Sequence, residues 1–164
     1  MQTEHNQDNY DYNQTHHERI EDVIKKDHDK IEAKLNEIIE NEELSTNDKR
    51  NLFNEVKAEL IGHMTAEEEC FYEHIESIKN VHKGQMNESI EEHHQAKLIM
   101  GELDDVAVED PKWIAKIRVL KEDLEHHHRE EEEEFLSETK DEWSDEKSEE
   151  IATRFLKIKR QTSL

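Results

Sequence analysis

Two copies of one short unit, a histidine followed four residues later by a glutamate, constrain this chain more than any other feature. His63 precedes Glu67 and His127 precedes Glu131, and each glutamate opens the same run, Glu-Glu-Glu-x-Phe. On an α-helix, residues four apart lie on one face about one turn apart, so the imidazole and the carboxylate can reach a single metal ion. The repetition predicts a helical protein with two related halves around such a site.

Apolar residues at helical spacing extend this prediction to the whole chain. We predict four long helices and a shorter last one, at about 18–41, 48–77, 86–105, 111–135 and from Ser144, with a turn at 79–85 that contains Gly84. Three glycines and one proline leave little punctuation for the turns of a sheet. The expected fold is all-α, an antiparallel up-and-down four-helix bundle with an additional C-terminal helix.

The spacing of two further histidines indicates a duplicated helical hairpin. His28 precedes His63 by 35 residues, and His93 precedes His127 by 34. Each of the four bundle helices therefore carries one histidine at the same relative place within its apolar stripe. Two such hairpins, related by a pseudo-twofold axis, form a four-helix bundle.

Charge and composition bound the remaining possibilities. The chain has 44 acidic and 22 basic residues, a formal charge of −22, which repels nucleic acid and anionic membranes. Residues 1–17 are polar and are expected to form a flexible tail, and residues 18–164 a single bundle domain. The single cysteine, Cys70, excludes an intramolecular disulfide framework. Without a signal core or a membrane span, the protein is expected in the cytoplasm.

A histidine inside an apolar stripe must be hydrogen-bonded, paired or metal-bound. One such residue would be interpreted as an ordinary core histidine. Four of them, two with an in-phase glutamate, favour a metal site instead. The donors are all nitrogen and oxygen, which suits iron or manganese better than a closed structural zinc site, and two facing carboxylates favour a dinuclear centre. A dinuclear iron site is the first choice, ahead of manganese or zinc. The predicted ligands are His28, His63, Glu67, His93, His127 and Glu131.

Three overlapping pairs in the second unit share the ligand spacing: His126 with Glu130, His127 with Glu131, and His128 with Glu132. The apolar stripe passes through position 127 or 128 and position 131, and alignment with the first unit selects His127 and Glu131. We therefore interpret His126 and His128 as flanking residues.

Neighbouring polar side chains are assigned lesser roles. We expect Cys70 to be a small buried hydrophobe rather than a redox group, and Tyr72 to donate a hydrogen bond rather than bind metal. Glu134 is either a proton donor or a solvated side chain. His94 lies about 100° around the helix from its neighbour and is interpreted as solvated, with a reserve role as ligand. Two further residues, His74 and Glu138, follow the ligands in phase and should therefore lie near the same end of the bundle. We expect both to cap that end.

Taken together, these motifs resemble the hemerythrin-like (HHE cation-binding) domain. The resemblance covers about residues 18–160 and rests on Asp27-His28, His63-x-x-x-Glu67-Glu68, Glu92-His93, His127-x-x-x-Glu131-Glu132 and the aromatic residues that follow each glutamate run. It implies two non-haem iron ions with an oxo or hydroxo bridge. The four histidines would be iron ligands and the two glutamates carboxylate bridges. The diferrous form of such a centre reacts with dioxygen.

The chain departs from the oxygen-carrying members of that family at Lys97. Those members usually have a further histidine four residues after the ligand of the third helix, and here that position is lysine. An inward ammonium would oppose a metal cation, so Lys97 is expected to turn aside, toward a carboxylate for example. The resemblance then fits dioxygen binding or sensing, peroxide decomposition by an enzyme, or, as the alternative, iron handling or a nitric oxide or iron–sulfur repair role. Dioxygen, hydrogen peroxide and nitric oxide are the expected small ligands.

Overall fold

The computed structural model describes residues 18–162, and all the regular structure in this range is helical. We number five helices, two of them with a central π-helical turn. They are α1 (Ile20–Glu40), α2 (Thr46–Ala66, π-helical Glu67–Phe71, then Tyr72–Ile75), α3 (Lys83–Asp105), α4 (Pro111–Glu131, π-helical Glu132–Leu136, then Ser137–Glu142) and α5 (Asp145–Thr162). The predicted tail, 1–17, lies outside the described residues.

Side-chain caps explain where three of the helices begin. Ser45 Oγ accepts a hydrogen bond from the amide of Asp48 at 3.1 Å, and Asp110 Oδ1 accepts one from Lys112 at 2.9 Å, directly before the proline that opens α4. Ser144 Oγ accepts from the amide of Lys147 at 3.2 Å, as expected of an N-cap. Each cap satisfies an amide that the first helical turn leaves unpaired.

Helices α1 to α4 form the predicted up-and-down bundle. Helix α1 packs against both α2 and α4, and α3 packs against α4. Helix α5 lies against α1 and α2, on the first hairpin. The predicted fold class is therefore confirmed. No helix between residues 18 and 162 combines the length and apolarity needed to cross a bilayer.

Two details of the predicted helices are wrong. The turn after α2 covers 76–82 rather than 79–85, so Gly84 lies within the first turn of α3. A glycine there makes no close approach, since an added Cβ would meet nothing within 4 Å. The second and fourth helices are also not regular, because each widens into a π-helical turn beside its glutamate run.

Two apolar clusters occupy the bundle, one toward each end. The first includes Ile24, Phe71 and Phe135 together with Phe155 of α5. The second includes Ile31, Leu35, Leu60, Met100, Trp113 and Leu124. The histidines of all four bundle helices lie along the chain between members of these two clusters, so the polar layer is enclosed by apolar side chains on both sides.

Candidate metal centre

All six predicted ligands meet in this polar layer. All six residues are buried, and none is more than 4% exposed. Their donor atoms form two groups, each with all of its atoms within 4.8 Å of one another. One group joins His28, His63, Glu67 and Glu131; the other joins Glu67, His93 and His127. The ligand assignment remains a prediction, but the geometry that it requires is present.

The two carboxylates connect the groups. Glu67 Oε1 lies 2.6 Å from Nε2 of His63 and 3.7 Å from Nε2 of His93. Glu131 Oε1 lies 3.4 Å from Nε2 of His28, and its Oε2 lies 3.7 Å from Nε2 of His127. Each glutamate therefore contacts one histidine of each hairpin, which is what a bridging carboxylate must do.

A second layer of carboxylates faces the outer nitrogen of each histidine. His63 Nδ1 donates to Asp27 Oδ2 at 2.9 Å. In the other hairpin His127 Nδ1 donates to Glu92 at 3.3 Å. The remaining two contacts are longer, from His93 Nδ1 to Glu68 at 3.4 Å and from His28 Nδ1 to Glu132 at 3.9 Å. A proton held on Nδ1 leaves the Nε2 lone pair for a metal ion.

This second layer follows the duplication residue by residue. Asp27 and Glu92 directly precede the histidines of α1 and α3, and each contacts the histidine of the next helix. Glu68 and Glu132 directly follow the bridging candidates and contact the histidines of α3 and α1. These four neighbours are part of the sequence motifs, but no role was predicted for them. The recurring acidic-His and Glu-Glu pairs were the signal that could have assigned one.

Unsatisfied donor atoms test whether a metal fits. Among the described residues, Nε2 of His28 and of His63 and Oε1 of Glu67 and of Glu131 have no hydrogen-bond partner, although they are buried. The 2.6 Å contact between His63 and Glu67 is thus not a hydrogen bond. Two ligands held at right angles about 2.1 Å from one ion would lie about 3 Å apart, so contacts of 2.6–3.7 Å suit shared coordination. Buried polar atoms of this kind call for a partner.

The central acidic pair shares charge unequally. Burial and the adjacent charge of Glu131 raise the pKa of Glu67 well above its usual range. Burial alone would raise the pKa of Glu131 too, but hydrogen bonding with Glu67 and His28 holds it well below its usual range. In the metal-free fold the pair therefore favours one proton, on Glu67. A dication beside it would instead stabilise both ionised carboxylates.

Tyr72 confirms the expected hydrogen-bonding role. Its hydroxyl donates to Glu131 Oε2 at 2.8 Å and lies 3.3 Å from Glu67 Oε2 and 3.4 Å from His93 Nε2. Burial, then the charges of the two glutamates, raise the tyrosine pKa well above its usual range, so the phenol keeps its proton. Tyr72 directly follows the π-helical turn Glu67–Phe71, and such turns are frequent at functional sites.

The interpretation of His128 as merely flanking is incomplete. His128 is 2% exposed, and its ring stacks on His28 with centroids 3.7 Å apart and planes 8° apart. Burial, then the neighbouring histidines, lower its pKa well below the usual range. The contact between α4 and α1 is wide enough to bury two adjacent residues of α4, His127 and His128. By contrast His126 and His94 are exposed, as expected.

Lys97 turns aside as expected. Its side chain is 45% exposed, and its ammonium lies 3.9 Å from Glu68, the carboxylate behind His93. Cys70 is buried, with Sγ 3.8 Å from the carbonyl of Ile151 on α5, so it faces the added helix rather than the metal layer. Burial raises its pKa to about 11, in keeping with an inert thiol. Glu134 is exposed.

The two expected capping residues bond near that end of the bundle. His74 Nδ1 donates to the carbonyl of Cys70 at 2.7 Å. Glu138 accepts a hydrogen bond from Asn80 at 3.5 Å, across the loop that leads into α3. Neither residue belongs to the two ligand groups.

Two clefts between α3 and α4 reach candidate ligands. The apolar cleft, of about 220 Å³, is lined by Glu92, His93, Gln95, Ala96, Asp123, Leu124, His126 and His127. The acidic cleft, of about 60 Å³, reaches Glu131 and is lined also by Gln85, Glu88, Ser89, Glu92, Glu130, Glu134 and Phe135. Both lie on the second hairpin, away from α5.

One family model matches the chain. It is the hemerythrin HHE cation binding domain, and it aligns with residues 19–138, which include all six predicted ligands and end before α5. A search of curated proteins and a search of solved structures found no match.

Proposed function

We propose that this chain, which belongs to the hemerythrin HHE cation-binding family, is a non-haem di-iron protein whose centre reacts with dioxygen or hydrogen peroxide. The observation that carries the proposal is the pair of buried carboxylates, Glu67 and Glu131, each set between histidines of both hairpins. A donor set of nitrogen and oxygen without thiolate favours iron over a structural zinc site. When bound, two irons would supply the electrons that reduce the small oxidant.

The surrounding residues would prepare the site for this chemistry. Asp27 and Glu92 fix the tautomers of His63 and His127, so that Nε2 carries the lone pair. Tyr72 holds a proton 2.8 Å from Glu131 and so provides a donor at the edge of the reacting space. The apolar clusters on both sides limit the access of water.

Peroxide decomposition or ligand sensing suits the site at least as well as reversible oxygen carriage. Lys97 stands where a third imidazole would be expected in a carrier, and its side chain turns toward Glu68. The second hairpin therefore offers His93 and His127 without a third histidine from this position. That leaves room for an added ligand beside these two residues.

Iron handling is the second candidate, and the acidic cleft favours it. Glu88, Glu92, Glu130 and Glu134 line a passage that reaches Glu131 from the surface. A row of carboxylates concentrates divalent cations and repels anions. A protein that takes up and releases iron would use such a passage, whereas a permanent centre needs it only once.

Metal analysis, the near-ultraviolet spectrum and titration with peroxide test the proposal. The wild-type protein should hold two irons per chain and show the near-ultraviolet absorption of an oxo-bridged centre. His63→Ala or Glu131→Ala should lose both the iron and this absorption. His94→Ala is the matched control, because His94 is exposed on the neighbouring face. Retention of iron and spectrum by the two ligand variants would refute the assignment. Many turnovers of peroxide would indicate an enzyme, and reversible, stoichiometric binding of dioxygen would indicate a carrier or sensor. Release of iron, without peroxide turnover or dioxygen binding, would indicate iron handling.

A further inference from the structure

We propose that small neutral molecules bind in the apolar cleft between α3 and α4, against His93 and His127, and reach the metal centre from this side. The inference rests on the proposed function for the identity of the ligand, which would be dioxygen, nitric oxide or hydrogen peroxide. The cleft itself is a property of the helices and does not depend on which metal is bound. The apolar cleft gives small molecules access to the His93 and His127 side of the centre and not to the side of His28 and His63, although the predicted ligands on the two sides are similar.

The shape of the apolar cleft suits a molecule of this size. Gln95, Asp123 and His126 are exposed at its mouth, whereas Ala96 and Leu124 are each 3% exposed and lie deeper, beside the two histidines. The cleft holds about 220 Å³. A water molecule takes up only about 30 Å³ in the liquid, so a diatomic molecule or peroxide fits with room to move.

The duplicated hairpin provides an internal comparison. When the two hairpins are aligned on their corresponding histidines, Ile31 of the first hairpin corresponds to Ala96 of the second. Isoleucine adds three carbon atoms at this position, and Ile31 is fully buried. The mouth differs too, because Lys30 corresponds to Gln95 and Glu59 to Asp123. Lys30 Nζ lies 2.6 Å from Glu59 Oε1, so an ion pair spans the corresponding opening.

Helix α5 covers the same region of the first hairpin. Lys159 Nζ lies 3.2 Å from Glu59 and 2.6 Å from Asp27, the carboxylate behind His63. The ring of Phe155 packs edge-on against that of His63, with centroids 5.7 Å apart. The counterpart of the apolar cleft is thus filled from within by an aliphatic side chain and covered from outside by an added helix.

Charge selects neutral molecules over anions. Glu92 and Asp123 line the apolar cleft, and the whole chain carries a formal charge of −22. An anion would meet an unfavourable potential at the mouth and would lose its hydration against Ala96 and Leu124. Nitric oxide is therefore a suitable probe, and azide is its anionic counterpart.

The first test measures nitric oxide binding to the reduced, iron-loaded protein by stopped-flow absorption. Ala96→Ile, which copies the first hairpin, should slow association by about tenfold or more, because a narrowed access route lowers the association rate constant. Ala115→Ile is the matched control, the same change at an exposed position of α4, and should leave the rate unchanged. Equal rates in wild type and Ala96→Ile would overturn the proposal.

A second pair of variants guards against misfolding of Ala96→Ile. Gln95→Trp changes only the exposed mouth of the cleft and should also slow nitric oxide binding, whereas Lys30→Trp, its counterpart in the first hairpin, should not. If Lys30→Trp slowed binding and Gln95→Trp did not, access would come from the other side. Azide that associated as fast as nitric oxide would overturn the preference for neutral ligands.

Xenon provides a readout that does not involve iron. Methyl NMR of the purified protein under xenon pressure should show shifts at Ala96 and Leu124, because xenon enters apolar cavities, and the shifts of the Leu124 methyl groups should vanish in Ala96→Ile. Their absence from the wild type would overturn the binding cleft whatever metal is bound. If xenon bound and nitric oxide did not, the cleft would stand and the di-iron function would fail.

Discussion

Replacing Glu67 with glutamine should have opposite effects on the metal-free and the metal-loaded protein. Glu67 is fully buried beside Glu131, and burial with this neighbouring charge raises its pKa well above the usual range. The metal-free fold therefore favours a protonated Glu67. A glutamine side chain has nearly the same shape as a protonated carboxyl and also donates a hydrogen bond, so Glu67→Gln should fit this state without strain.

The size of the effect follows from the unfolded chain. A glutamate there has a pKa of about 4.3, so taking up a proton at pH 7 costs at most about 3.7 kcal/mol. Because the folded pKa is raised, this destabilisation is absent below about pH 4.3 and grows as the pH rises toward the folded pKa. Glu67→Gln removes it. At pH 7 the metal-free variant should match the wild type or exceed its stability by up to about 3.7 kcal/mol, with less decline as pH rises.

Metal should reverse the order. Glu67 belongs to both ligand groups, and an amide is a poorer bridge than a carboxylate. At a free metal concentration of about 1,000 times its dissociation constant the wild type should gain about 4.1 kcal/mol, more than the metal-free advantage of the variant, and the variant should gain little of this. Chemical unfolding followed by circular dichroism, with chelator and with Fe(II), measures both states. Glu134→Gln, at an exposed glutamate of the second unit, should change either state by less than about 0.5 kcal/mol. A metal-free Glu67→Gln that is clearly less stable than wild type, or equal stabilisation of both proteins by metal, would contradict this prediction.

Three further outcomes are expected. Asp27→Asn should weaken metal binding by about 10- to 100-fold in a chelator competition, as loss of a carboxylate behind a ligand histidine usually does; unchanged affinity would remove Asp27 from the site. Lys97→Met should keep the full metal content and unfold within about 0.5 kcal/mol of wild type, since Lys97 is half-exposed, and loss of metal would mean that its contact with Glu68 matters. In native protein at pH 8, Cys70, with a pKa of about 11, should hold roughly 200-fold less thiolate than an ordinary cysteine, and rapid labelling by a thiol reagent would contradict its burial.

The sequence was sufficient to predict the bundle and the six converging residues. Helical periodicity identifies a buried stripe whenever one face of a helix is apolar, and the interruption of that stripe by one histidine per helix marked a shared layer. The duplication then supplied the register, since the choice of His127 over His126 and His128 came from alignment with His63. These features depend on spacing along the chain, which the sequence contains directly.

Features that depend on contacts between helices were missed. One π-helical turn begins at Glu67 and the other directly after Glu131. Each shifts the following residues around the helix axis, and regular 3.6-residue periodicity does not detect it. Tyr72, which such a turn positions, was expected to donate a hydrogen bond, but its acceptor was not predicted. His128 was expected to flank the site because the width of the α1–α4 contact is a tertiary property. The ring of His128 stacked on His28 shows that the contact is wider than one stripe.

Helix α5 changes the meaning of the duplication. The two hairpins bring matching donors to the centre, but α5, which lies beyond the matched family domain, packs on the first hairpin. Lys159 there pairs with Asp27 at 2.6 Å, whereas Glu92, the counterpart of Asp27, pairs with His127 and with no lysine among residues 18–162. A lysine that shares the charge of Asp27 weakens its pull on the proton of His63, so the two histidines are not equally strong donors. The pseudo-symmetry of the ligands is thus broken by a segment that the sequence pattern suggested was only an appendage.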